Sequence, residues 1–157
     1  MRFGLLFAAI LALDQATKFL VRNTMFPGQS IPVLGQVLKI TYVENTGIAF
    51  GLRLGPGPVF TVLSILASLF IIVLLLTHRK ERPPFKAALV MILSGAVGNL
   101  IDRILFQQVA DFIDLGVKHL RWYVFNVADT AVVVGMALLT YLILFSERKP
   151  ETDLVPR

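Results

Sequence analysis

Cysteine is absent from this 157-residue chain. That excludes a disulfide framework, a thiol nucleophile and a thiolate-held metal, and it leaves the redox compartment open. Histidine is nearly absent too: His78 and His119 are the only two. They lie in different polar segments on either side of a long apolar run, so a zinc pair or a serine triad would have to reach across it. Neither H-E-x-x-H nor G-x-S-x-G occurs, which removes the usual zinc peptidase and serine hydrolase signatures. Charge is sparse at 16 %, against 56 % hydrophobic residues and a mean hydropathy of +0.76. Such a balance belongs to a membrane protein, not to a soluble domain of this length. The excess of 15 Lys and Arg over 10 Asp and Glu sits beside apolar runs, where membrane sorting accounts for it, and no nucleic-acid partner is expected.

What the chain has in quantity is apolar runs, at about 3–21, 59–77, 87–105 and 127–145. At about 1.5 Å per residue each reaches close to 30 Å, enough to cross a hydrocarbon core. One four-span membrane domain over residues 1–153 is expected. The first run follows basic residues as a signal peptide would. It lacks a small-residue cleavage site and carries Asp14 and Lys18, so it reads as an uncleaved span. Residues 154–157 look like a protease-recognition remnant. Arg79, Lys80, Arg82 and Lys86 between the second and third runs, with Arg148 and Lys149 after the fourth, place both termini in the cytoplasm. Segments 22–58 and 106–126 then face outward.

Within the first outer segment, residues 36–43 alternate partly and are rich in β-branched types. The Asn45-Thr46-Gly47 turn signal and a short run at 48–52 follow, predicting a small sheet at about 31–55 on the outer surface. Leu54-Gly-Pro-Gly-Pro58 ends it, because two prolines cannot donate to a ladder. In the second outer segment, about 107–125, residues 112–123 read as an amphipathic helix. It would lie on the membrane as a lid, with Gly116 as its hinge. The expected class is therefore an all-α four-span membrane protein with a small outer β-sheet and a short outer helix.

The ionisable groups inside the runs collect toward one leaflet. Asp14 and Lys18, at i and i+4, share a face in the outer half of the first span. Asn99, Asp102 and Arg103 fall near the outer end of the third, and Asn126 and Asp129 at the outer entrance of the fourth. Ionisable groups in a bilayer usually face the bundle interior and mark a working site. Asp129 lies in the first turns of an apolar helix, where a charge needs a reason. Ser64 and Ser68, one turn apart in the second span, read as a close helix contact. With thiol, imidazole pair and metal set aside, the chemistry left is carboxylate. Two acids held close cannot both ionise, and such a pair can activate water with no metal or cofactor. Asp111 and Asp129 are the candidates, with Asp114 a possible rival of Asp111.

These residues carry a signature. Asp14-Gln15-x-Thr17-Lys18, Asn45-Thr46-Gly47-x-Ala49-Phe50, Gly95-Ala96-x-Gly98-Asn99-x-x-Asp102-Arg103, Val109-x-Asp111-Phe112 and Phe125-Asn126-x-Ala128-Asp129 occur in that order, and the chain resembles the bacterial lipoprotein signal peptidases (signal peptidase II). The resemblance implies an intramembrane aspartic endopeptidase of the cytoplasmic (inner) membrane. It would remove the signal peptide from prolipoproteins just before a diacylglyceryl-modified cysteine, and globomycin-like cyclic peptides would inhibit it. By the same matching Asp111 and Asp129 form the dyad, and Asn45, Asn99, Arg103 and Asn126 line the substrate site beside membrane lipids. Asp14, Lys18, Gly47 and Asp102 support it. Ser94 and Ala110 depart from the family's usual glycine and valine. The alternatives are a small proton-coupled carrier or channel subunit, whose acids relay protons, and a non-enzymatic assembly factor whose acids only pair with Lys18 and Arg103.

Overall fold

The computed structural model describes residues 2–49, 52–53 and 57–145. The expectations for Phe50, for the turn at 54–56, for Arg148 and Lys149 and for residues 154–157 lie outside them. Helices α1 (Arg2–Thr24), α2 (Gly57–Thr77), α3 (Pro83–Phe106) and α4 (Val127–Phe145) coincide with the four apolar runs, extended by a turn or less at most ends. All four are long and apolar enough to cross a membrane. Helix α3 begins with prolines in its first turn, where a missing N–H costs nothing because that position has no intrahelical acceptor. It ends on Gln107 in the left-handed region (φ 61°).

Helix α3 is the central element, since α1, α2 and α4 all pack on it. Its contact with α4 depends on small residues. A Cβ at Gly95 would collide with the Ala128 carbonyl oxygen and lie 2.7 Å from Val132, and one at Gly135 would lie 2.8 Å from the Ala88 carbonyl oxygen. Backbone carbonyls cannot rotate out of the way, so Gly95→Ala has to push the two helices apart. Overpacking of this kind costs about 1–3 kcal/mol. A melting temperature lowered by several degrees in detergent is the expected result.

Between α1 and α2 the chain forms β1 (Ser30–Leu34), β2 (Leu38–Asn45), β3 (Ile48–Ala49) and β4 (Leu52–Arg53). The first two confirm the predicted sheet, although residues 35–37 turn between them where a strand was expected to start. β3 and β4 pair separately as a two-stranded ribbon.

The second outer segment corrects the sequence reading. Residues 112–123 do not form an amphipathic helix. Most of them belong to β5 (Val109–Val117) and β6 (Leu120–Arg121), which extend the sheet in the antiparallel order β1-β2-β5-β6. Gly116, expected as the hinge of that helix, instead pairs with Arg121 of β6, so close that a Cβ would meet Arg121 Cα at 2.5 Å. The physical reason is the exposed ladder of β2, which pairs with β5 from Leu38↔Leu115 to Asn45↔Val109 across an irregularity between Ile40 and Val43. Isolated hairpins are marginal, and a third strand over an apolar layer makes the sheet stable. That layer is Val21, Met25, Tyr42, Ala110 and Phe112, which seat the sheet on the end of α1.

Candidate active site

Asp111 and Asp129 are distant in sequence and are joined by the β5–β6 hairpin. After β6 the chain runs back beside β5. The N–H groups of Phe112 and Ile113 both donate to the Phe125 carbonyl (3.0 and 2.7 Å), and Phe125 N–H donates to Ile113 O (3.1 Å). This pins Phe125 next to the strand that carries Asp111, and α4 starts two residues later.

The start of α4 then places Asp129 by capping. Asn126 Oδ1 accepts the Asp129 N–H at 2.9 Å, while Asp129 Oδ2 accepts the Asn126 N–H at 3.2 Å. This is a reciprocal capping box built from Asn and Asp. The Asn126 amide does more than cap, since its Nδ2 donates to Asp111 Oδ1 at 2.7 Å and to Asn99 Oδ1 at 3.1 Å. One fully buried side chain thus links the two aspartates. Asn126 was expected to line the site, and instead it stands behind it.

Each remaining carboxylate oxygen also has a donor. Asn45 Nδ2 donates to Asp111 Oδ2 at 2.9 Å, and Asn99 Nδ2 to Asp129 Oδ1 at 2.7 Å. Asn45 is itself fixed by an Asx turn, its Oδ1 accepting the Gly47 N–H at 3.0 Å. Gly47 takes a positive φ of 136° there, which explains a glycine at a position that makes no contact with the aspartates. Burial, and after it the charge of Asp129, push the Asp111 pKa from 3.8 up to about 7.

Both aspartates face one cavity of about 790 Å³, whose walls include Asn45, Asn99, Arg103 and Trp122 and, on α4, Val132 and Val133. Val133 is 60 % exposed, so this apolar side of the cavity adjoins the surface that lipid would cover. Arg103 points in from α3, held by a hydrogen bond from Nη1 to Ser64 Oγ at 3.1 Å. Asp114 is elsewhere. It pairs with Arg121 at 2.7 Å and accepts from Thr41 at 2.8 Å, and it does not line the cavity.

Behind the cavity lie Asp14, Lys18 and Asp102, each 0 % exposed. The expected Asp14 and Lys18 pair is present at 2.9 Å. Three other residues in this region had been given no site role. Arg22 lies 2.8 Å from Asp102, Gln15 donates to Asp14 at 3.0 Å, and Ser64 holds Arg103. The spacing of Asp14, Lys18 and Arg22 at i, i+4 and i+8 is a charged stripe on one helical face and could have identified Arg22. Ser64 gave no signal, because a serine in an apolar run reads equally well as packing. Among the described residues no cluster of three or more His, Asp or Glu is placed to hold a metal ion.

The chain is similar to known proteins over most of its length. The family model described as Signal peptidase (SPase) II matches residues 6–145. The lipoprotein signal peptidase of Moorella thermoacetica is 40 % identical over 92 % of this chain and 93 % of its own length. That of Geobacter sulfurreducens is 43 % identical over 88 % and 89 %. Among solved structures, a bacterial membrane enzyme obtained by the in meso method superposes with a TM-score of 0.86 at 27 % identity, covering 97 % of this chain and 94 % of that one.

Proposed function

This chain belongs to the signal peptidase II family, and on that premise we propose that it removes signal peptides from prolipoproteins by aspartic catalysis at Asp111 and Asp129. The observation that carries the reading is the shared setting of the two acids. Both face one cavity at one end of the bundle, and Asn126 bridges them. Asp111, with its pKa near 7, carries the proton that the pair retains. Asp129 takes a proton from a water in the cavity, the water attacks the scissile carbonyl, and Asp111 protonates the carbonyl oxygen. The protonated Asp129 then gives its proton to the scissile nitrogen while Asp111 takes one back from a hydroxyl of the tetrahedral intermediate, so the C–N bond breaks, the new carboxyl and amino termini leave and the pair is restored. Arg103 and Asn99 supply donors for the substrate's backbone carbonyls.

The partly apolar cavity beside the lipid-facing side of α4 suits a substrate whose diacylglyceryl-cysteine reaches it sideways from the bilayer. In this reading the dyad end of the bundle faces outward from the cytoplasmic membrane and both termini face the cytoplasm, which the basic residues around the α2–α3 connection support. Globomycin-like cyclic peptides would compete for the same cavity. Cleavage of a diacylglyceryl-cysteine peptide, compared with its unlipidated form, tests the substrate class. Equal kcat/KM for both would remove the lipid from the reading.

The Asp111 pKa sets a pH dependence. Below about 7 the pair keeps its proton, and above it the acid needed at the carbonyl oxygen is lost, so kcat/KM, which reports the substrate-free enzyme, should fall with one proton lost as pH rises past about 7. The sign for stability follows from the same shift. The folded chain binds more protons than the unfolded one between 3.8 and about 7, so stability also declines as pH rises through that window. Initial rates from about pH 5 to pH 9 check the first statement. A rate that keeps rising through the upper end contradicts it.

A further inference from the structure

Each dyad aspartate is preceded by a residue whose backbone N–H is held by a carboxylate from another helix. Asp14 Oδ1 on α1 accepts the Ala128 N–H at 2.9 Å, one residue before Asp129. Asp102 Oδ2 on α3 accepts the Ala110 N–H at 3.1 Å, one residue before Asp111. The first is a donor at a helix N-terminus that has no partner within α4. The second lies at the start of β5, just after the chain leaves α3.

The two carboxylates are joined through one ammonium group. Lys18 Nζ lies 2.9 Å from Asp14 Oδ2 and 3.4 Å from Asp102 Oδ2. It also donates to Asn99 Oδ1 at 2.9 Å, and Asn99 passes the connection to Asp129 Oδ1. The ammonium thus faces three acceptor oxygens, one from each of these residues. Outer ties fix both arms. Gln15 Nε2 bridges Asp14 Oδ2 and the Gly98 carbonyl (3.0 and 3.1 Å). Arg22 holds Asp102 through an Nη1 hydrogen bond at 3.3 Å, and its Nη2 adds an ion pair at 2.8 Å. Gly98 leaves the space this needs, because a Cβ there would lie 2.6 Å from Asp14 Oδ2.

We propose that Asp14, Lys18 and Asp102 are positioning residues forming a two-armed clamp, in which the arms fix the backbone before Asp129 and before Asp111 and Lys18 sets the separation between them. None of the three lines the cavity, so none touches substrate. An ion cluster that only stabilised the fold would need each acid to face a cation. Here each acid also receives the one N–H that locates a reacting carboxylate. The inference rests on the dyad reading above.

The test uses the full chain in detergent, measuring kcat and KM on a diacylglyceryl-cysteine peptide together with residue-resolved amide hydrogen exchange. Asp14→Ala should lower kcat about 100-fold, the scale of a reacting group displaced by about 1 Å, with KM within about threefold. Exchange should accelerate at Ala128 and not at Ala110. Asp102→Ala should do the reverse, accelerating exchange at Ala110 and not at Ala128. Asp14→Asn keeps an acceptor oxygen for Ala128 and should recover about tenfold of the loss. If the alanine variants do not survive purification, Gln15→Met decides, since it loosens only the outer tie of one arm. A kcat loss of about three- to tenfold with faster exchange at Ala128 supports the clamp. Unchanged exchange at both alanines, or a loss expressed in KM, overturns it. The dyad reading fails separately, if Asp111→Asn or Asp129→Asn still turns over.

Discussion

Asp111→Asn and Asp129→Asn are each expected to lower kcat by about 10⁴-fold or more, and the double variant to be scarcely worse than either single one. General acid or base groups contribute about 10²–10⁴-fold each, and groups that act as a unit lose their effects together instead of adding. Asparagine preserves the volume but only one of the two acceptor oxygens at either position, so one of the two hydrogen bonds that each aspartate accepts persists while the other, and the shared proton, are lost. Asp114→Asn is the control. Its carboxylate faces Arg121 and Thr41, outside the cavity, and turnover of the folded variant within about threefold of the parent is expected, on the scale of a change that leaves the reacting groups in place. Melting temperatures measured alongside separate loss of chemistry from loss of fold. An Asp111→Asn variant that melts normally and cleaves normally contradicts the aspartic mechanism and favours an assembly role for the acids.

The largest effect on stability is expected at Lys18. Its ammonium is fully buried between Asp14, Asp102 and Asn99, and Lys18→Met would leave two buried carboxylates with one counter-charge, that of Arg22. Removing one partner of a buried ion pair costs about 3–5 kcal/mol. For a chain of this length that corresponds to a melting temperature lower by about 6–20 °C, measurable by thermal unfolding in detergent. Lys18→Met that melts within about 2 °C of the parent would show that the cluster is not a structural requirement.

The helices were legible because the bilayer imposes a length and a composition that few other constraints do, and α1 to α4 fall on the four apolar runs. Asp14 and Lys18 were legible as a pair from their i, i+4 spacing. The β5–β6 hairpin was not. Val109-Ala-Asp-Phe-Ile-Asp-Leu-Gly-Val117 mixes apolar and polar residues without strict alternation, and its turn gives no Asn-Gly or Asp-Gly signal, since Lys118 itself takes the positive φ of 52°. What decides it is non-local, namely the open ladder of β2 and the Phe125 backbone on the far side of β5. Asn126 shows the same limit. The pattern marked it as a site residue, but only the capping box reveals that one amide orients both acids. The second function of Asp14 and Asp102, each holding a backbone N–H, is likewise set by three-dimensional proximity between helices and leaves no trace in spacing.

The most direct test of a dyad that shares one proton is a ¹³C NMR titration of labelled aspartate carboxyls in the parent chain and in Asp129→Asn. Asp111 should titrate near 7 in the parent and at lower pH in the variant, because the neighbouring negative charge is gone. Two fully ionised carboxylates at Asp111 and Asp129 at about pH 5 in the parent, a unit or more above the ordinary carboxylate value, would contradict the mechanism.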